Sequence, residues 1–291
     1  MSEPTSVARR LWLRYEPFHD IIYFSPRATE EAARLGLRGF WMSYFAYRAA
    51  PLGRVVPATV TATFFGFHRN RVERALPDAW TYVTPEQAIA AREAAVAAAL
   101  DDIFGPPSDL YNFAEAADLA WRAAEAAETA GRPLAAAAQA LPRSDNARIA
   151  LWQATSILRE HRGDGHNAVL VSRGIRPAEA HLIKIGAKES DPERLKTGRG
   201  FPDQEWTRAQ ADMRAQGLID PAGLLTDQGR AEHDAIEAAT DTAAEQPWHT
   251  LGEADTRRLL HLLRPITAAV IHSGLIPRPN GVGIVWTEQD K

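Results

Sequence analysis

The sequence predicts a mainly α-helical protein of two lobes: an all-helical first lobe, and a second lobe of helices interrupted by one small β-hairpin. Three observations carry this. Ala-rich stretches bounded by capping residues fill the first half, and Ala favours helix because it loses no side-chain entropy there. Residues 217–230 read G-L-I-D-P-A-G-L-L-T-D-Q-G-R, two short apolar runs around a Pro-Ala-Gly turn, set between two helix-like segments. Segment 251–272 spaces Leu259, Leu260, Leu262, Leu263, Ile266 and Val270 as the broad apolar stripe of a long helix. With 291 residues, 45% apolar and 24% charged, the chain suits a globular protein of about two domains.

In order along the chain, 7–16 is a short amphipathic helix. Ser25-Pro26 starts the next one, with Pro at the first helical position and Glu30 and Glu31 following, until Gly36 interrupts it. Segment 37–50 crowds Phe40, Trp41, Tyr44, Phe45 and Tyr47 before Pro51. Segment 55–67, rich in β-branched and aromatic residues, reads equally as a strand or a buried helix. Thr84-Pro85-Glu86-Gln87 is a strong helix start for 88–104, which Gly105-Pro106-Pro107 ends. A helix over 109–130 closes at Gly131, and a short Ala-rich helix follows between Pro133 and Pro142. The domain boundary is placed there, giving 1–146 and 147–291.

The second lobe opens with a helix over 148–159. His161-Arg162-Gly163-Asp164-Gly165-His166 then breaks the pattern, and Asp164 is placed to cap a new helix over 165–172. A third short helix spans 177–185, a charged loop 186–202, and a fourth helix 203–216. The hairpin, a helix over 231–244 and the long last helix complete the lobe, with an extended Pro/Gly-rich tail after Gly274.

Composition excludes several chemistries. The chain has no cysteine, so disulfides, thiolate metal sites, iron–sulfur clusters and a Cys nucleophile are out. Segment 1–14 has basic residues but no apolar core of a secretory signal, and no run of roughly 18 apolar residues occurs, so a cytoplasmic protein without a membrane span is expected. The formal net charge of −4 gives no global support for phosphate binding. No Gly-rich phosphate loop, Gly-x-Ser-x-Gly elbow, His-Glu-x-x-His or EF-hand loop is present, which counts against nucleotide-dependent enzymes, α/β serine hydrolases and zincins.

Helix, small hairpin, helix is the outline of a winged-helix module. Met213-Arg-Ala-Gln-Gly217-Leu-Ile219, Leu225-Thr226-Asp-Gln-Gly229-Arg230-Ala231 and the segment 251–263 resemble the MarR group of winged-helix regulators, over roughly residues 148–272. That resemblance implies a homodimer through the terminal helices and a small phenolic or lipophilic ligand beside the DNA-binding lobe. The whole chain looks more like the actinobacterial SalK-like helix-turn-helix proteins. The resembling stretches are Glu16-Pro17-Phe18-His19, Tyr23-Phe24-Ser25-Pro26, 36–41, 48–53, 74–77, 158–166 and the hairpin. This implies an actinobacterial source and a setting in specialised metabolism, and it supplies no activity.

In a MarR-like module the helix before the wing enters the major groove. Here Gln204, Arg208 and Gln210 are the candidate base readers, but Asp203, Glu205 and Asp212 outnumber Arg208 and Arg214 on that helix. The hairpin carries Asp220 and Asp227 and no base from Leu218 to Gln228, so DNA is a disfavoured partner.

Two polar clusters carry the candidate chemistry. His161, Asp164 and His166 within six residues can hold a metal or a heme, act as an acid/base pair, or simply form a helix–helix turn. His19 sits among Tyr15, Phe18, Tyr23 and Phe24, and a three-His site forms if it meets His161 and His166. Trp41, Tyr44 and Phe45 are either core or the wall of a flat-ligand pocket, with Arg38, Arg48 and Arg162 able to pair an anionic group or to be solvated. The leading expectation is a regulator-like protein binding a small molecule near His19, Trp41, His161 and His166, with DNA binding weak or lost. The alternatives are an enzyme of specialised metabolism on the same scaffold, its cofactor (metal or heme) left open, and a pure protein-interaction module.

Overall fold

The computed structural model describes residues 6–106 and 110–277. Its helices begin where the capping chemistry places them. Ser6 caps α1 (Val7–Phe24) by accepting from the Arg9 amide, and Ser25 both ends α1 and caps α2 (Pro26–Arg34). The aromatic segment forms α3 (Gly39–Ala49). The ambiguous stretch resolves as helix, α4 (Pro57–Phe64), because Pro57 at the first helical position supplies a preset φ and lacks only an amide that would go unpaired. Two short helices, α5 (Arg69–Glu73) and α6 (Ala79–Tyr82), lead to α7 (Pro85–Phe104). Thr84 and Gln87 cap α7 reciprocally, side chain to backbone in both directions. Next come α8 (Phe113–Ala126) and α9 (Pro133–Gln139).

The expected break at 161–166 does not occur. A single helix of 26 residues, α10 (Ala147–Ser172), runs straight through both glycines. Two interior glycines cost roughly 1 kcal/mol each against Ala. Burial on nearly every side of α10 outweighs that, since 17 of its 26 residues are buried. At Gly165 the small residue is needed for packing: a Cβ would stand 2.6 Å from Nη1 of Arg132. That guanidinium bridges the His161 carbonyl of α10 and, at 2.6 Å, the Ala243 carbonyl. Asp164 therefore caps no new helix of its own. It reaches sideways and caps α9, accepting the Leu134 and Ala135 amides at 2.9 and 3.0 Å.

Beyond α10 lie α11 (Pro177–Gly186), α12 (Pro192–Arg199) and α13 (Asp203–Ala215). The expected charged loop thus holds a helix, started by Asp191 accepting the Arg194 amide at 2.7 Å. The expected β-hairpin wing is corrected too: among the described residues there is no strand, only one antiparallel bridge between Ile219 and Leu225. The turn between them is stapled by Asp220, whose carbonyl accepts from Gly223 and whose carboxylate accepts from Leu224. With α13 ending at Ala215 and α14 starting at Asp227, the segments flanking the bridge are too short for further ladder pairs. Chain then enters α14 (Asp227–Ala243), α15 (Gln246–Leu251) and α16 (Glu253–His272). Gly229 is required at that entry, since a Cβ there would fall 2.0 Å from the Leu218 carbonyl oxygen.

Two hydrophobic cores result. The large one gathers residues from α1 to the first half of α10, together with α15 and α16. The small one joins the end of α10, α11, α13, the bridged turn and α14 through Leu182, Trp206, Met213, Ile219 and Ile236. α16 packs on α1 and α8, and Leu259, Leu262, Leu263, Ile266 and Val270 are buried within the single chain. The apolar stripe expected on the last helix is thus covered by the chain itself. The expected tail lies, from residue 278 onward, outside the described residues. Asp164→Ala leaves two buried amides without an acceptor and is expected to cost about 2–3 kcal/mol in denaturant unfolding, with Asp164→Asn costing less.

Candidate functional site

Where α1, α3 and α10 cross, four charges meet, Glu16 and Glu160 buried and Arg48 and Arg159 half-buried. Arg48 of α3 holds Glu160 of α10 through two bonds, at 2.8 and 2.9 Å. Arg159 reaches Glu160 at 3.0 Å and Glu16 of α1 at 3.2 Å. Burial alone would raise the Glu160 carboxyl, but Arg48 and Arg159 reverse this and hold it far below the usual range. Asp20, one turn beyond Glu16, is fully buried and has no hydrogen-bond partner for either oxygen.

One wall of this crossing opens on a cleft of about 470 Å³ between the two cores. From the large core come Tyr23, Phe40, Trp41, Tyr44 and Arg48, and from the turn after α4 come Phe64 to Phe67. α10 adds Arg159, Gly163, His166 and Asn167; α11 adds His181 and Lys184; α12 adds Arg194, Gly198 and Arg199. The aromatic wall is continuous: Phe40 lies edge-on to Trp41 at 4.9 Å, and Tyr44 lies 5.4 Å from Phe67. Phe40 stays 49% exposed at the mouth. The edges of the cleft are tied across the cores, by Asn167 donating to the Thr63 carbonyl at 3.0 Å and His181 donating to the Gly66 carbonyl at 2.7 Å.

The residues singled out from sequence divide cleanly. Trp41, Tyr44, Arg48 and His166 line the cleft, while Phe45 stands fully buried behind them. Arg38 lies apart, exposed and stacked 5.2 Å over Tyr82. Arg162 faces the other way, pairing Asp241 of α14 at 2.7 Å and lying 4.8 Å over Trp12. The three histidines do not converge. His161 and His166 sit five residues apart on one helix, about 140° apart around its axis. His161 turns toward Glu128 and Arg132, His166 bonds Thr240 at 2.9 Å, and His19 bonds Ser156 at 2.8 Å and Tyr23 at 3.0 Å. Among the described residues no group of three or more His, Asp or Glu is arranged to hold a metal ion. Burial, first among the causes, pulls the His161 and His166 imidazoles down to about 4 and His19 well below its ordinary value. Asp164 is pushed up to about 6, burial outweighing its two backbone donors.

Sequence reasoning did not single out Arg159, Asn167, His181 or Lys184 as cleft residues. The signal was present as helical spacing: 159, 163, 166, 167 and 170 fall on one face once α10 is a single helix.

On the outer face of α13, Gln204 and Arg208 are exposed and Gln210 half-buried. Its acids are largely engaged, Asp203 by Lys196 at 2.5 Å and Asp212 by Arg176 at 2.5 Å. No helix of the described residues is long and apolar enough to cross a membrane.

Three helices with a capped turn around a small core, carried on a long helical shaft, define a helix-turn-helix protein. A model described as "Helix-turn-helix family" matches residues 8–277, and the chain belongs to that family. No curated protein matches it, and no solved structure does.

The lone Asp20 yields a stability test. Burial, then Glu16, raise its carboxyl well above the ordinary range. An unfolded chain ionises Asp at about 3.9, so above that pH ionisation opposes folding. Asp20→Asn is therefore expected to raise the melting temperature at pH 7, the gain fading below about pH 4. A gain that is the same at pH 3 and pH 7 contradicts this account.

Proposed function

We propose that this is a regulator-like helix-turn-helix protein that holds a small molecule in the cleft between its two cores, with DNA binding weak or lost. The observation that carries the proposal is the cleft itself: about 470 Å³, walled by aromatic rings of the large core and by α10, α11 and α12 of the helix-turn-helix side. A ligand there touches both cores at once and can bias how they sit. The order α10 to α14 with its bridged turn supports a MarR-like arrangement, and the stretches from Glu16 to the turn support the SalK-like group. The acid-bearing face of α13 and the base-free turn support weak DNA binding.

Gly163 offers a clean test of the cleft. A Cβ there meets only ordinary contacts, 3.6 Å from Glu160 and 3.7 Å from Arg159, so Gly163→Phe extends into the cleft from a sound helix position. Native mass spectrometry of freshly purified protein is expected to find a co-purified small molecule in the wild type and none in Gly163→Phe, at an unchanged melting temperature. A ligand retained in the variant refutes the site. For DNA, mobility shifts with the protein's own upstream sequence are expected to show no complex tighter than about micromolar at physiological salt. A nanomolar, sequence-specific complex overturns the reading of weak or lost binding.

A further inference from the structure

Behind Tyr23 and Arg48 lies a second, much smaller cavity of about 30 Å³, where α1, α3, α7, α9 and α10 meet in the large core. It shares only those two residues with the cleft. A space of that size takes one or two water-sized bodies, at roughly 10–15 Å³ each. Arg92 of α7 lines it and is 8% exposed. Arg92 Nη1 donates to the Tyr47 carbonyl at 3.1 Å and the guanidinium lies 5.4 Å over Trp152, but Nε has no partner. Tyr47 lines the same cavity at 3% exposure, and its hydroxyl has no partner either. The charged and imidazole groups beside them are met within the protein. Both Glu160 oxygens accept from Arg48, and His19 is bonded through both ring nitrogens, to Ser156 and to Tyr23. What stays unmet is a guanidinium N–H and a phenolic O–H, both able to donate.

Charge singles out Arg92. Glu16 and Glu160 offset Arg48 and Arg159. Asp20 is pushed toward its neutral form by burial and by Glu16. Among the described residues no Asp or Glu forms an ion pair with Arg92. Its chain neighbour Glu93 is half-buried and accepts from Gln153 at 2.8 Å. Burial, the largest influence, pulls the Arg92 pKa below its ordinary value, against the pull of Glu93, Tyr23 and Glu160. A guanidinium nevertheless keeps its proton in a protein. The large core therefore holds a cation whose neighbouring carboxylates are engaged elsewhere, and a buried charge left so is costly. Water can accept from both donors but leaves that charge in place. A monatomic anion accepts from both and neutralises it, while sulfate, phosphate and carboxylates are too large for the space.

We infer that this cavity is a halide site, in which one chloride accepts from Arg92 Nε and the Tyr47 hydroxyl and serves as a buried counter-ion of the large core. It depends in no way on what the cleft holds. The test is thermal unfolding of the full chain at pH 7, with chloride replacing gluconate at constant ionic strength. Only the folded chain has the site, so the melting temperature is expected to rise with the logarithm of chloride once the site fills, by a few degrees in all. Bromide is expected to act alike. Arg92→Met keeps the bulk, loses the cation and reports the background effect of the salts, so the rise is expected to vanish in it. Tyr47→Phe is expected to move the midpoint of the rise to about fivefold higher chloride. A crystal soaked in bromide is expected to show an anomalous peak between Arg92 and Tyr47. A rise no larger in the wild type than in Arg92→Met, or a cavity without bromide density, overturns the inference in favour of water. If Arg92→Met does not fold, the Tyr47→Phe shift and the bromide peak decide it, and the lack of either overturns it.

Discussion

Everything around the cleft depends on one set of charges, the buried Glu16 and Glu160 and the half-buried Arg48 and Arg159. None can be left alone in a low-dielectric interior, because an unpaired buried charge costs several kcal/mol. Pairing them demands that α1, α3 and α10 meet at one register and no other. Greasy contacts alone tolerate sliding by a turn, whereas a two-pronged Arg48–Glu160 contact does not. The quartet thus sets where Tyr23 and Tyr44 stand, and through them the wall that the helix-turn-helix side faces. Its energetic contribution is modest, since apolar replacements of buried ion pairs are often neutral. What it contributes is a unique arrangement.

The helix-turn-helix side is built by different means. Its core is small, and its elements are short. Turn chemistry and close backbone approach hold it together: Asp220 closing the turn, Gly229 letting α14 pass under the Leu218 carbonyl, Asp191 starting α12. The acids that weaken a grip on DNA phosphate are in several places the same groups that cap or staple this unit. Asp220 is the clearest case, because its carboxylate is committed to the Leu224 amide.

Much of this was readable from local chemistry. Ser25-Pro26 and Thr84 to Gln87 mark helix starts because capping acts over three residues and needs no tertiary partner. The bridged turn at 217–226 was likewise visible, though not that it stops at one pair. What escaped reading depends on contacts distant in sequence. Gly163 and Gly165 look like a break until α9 and Arg132 are packed beside them. Asp164 looks like a local cap until the amides of Leu134 and Ala135, some 30 residues earlier, are seen to need it. The aromatic cluster on α3 was legible as core or cleft wall, and it serves as both, with Phe45 inside and Trp41 and Tyr44 at the surface of the cleft. Arg38 and Arg162 could not be told from Arg48 by sequence, because the difference lies only in which neighbour each meets.

The unbroken α10 has a mechanical consequence. At 26 residues it is a rod of about 39 Å, rooted at its start in one core and ending in the other. A rod of this length bends little, so the face bearing Gly163 and His166 and the end at Ser172 keep one fixed spacing from the ion pairs near its middle. A break at 161–166 would have let the two cores shift independently along that line; the continuous helix sets their separation.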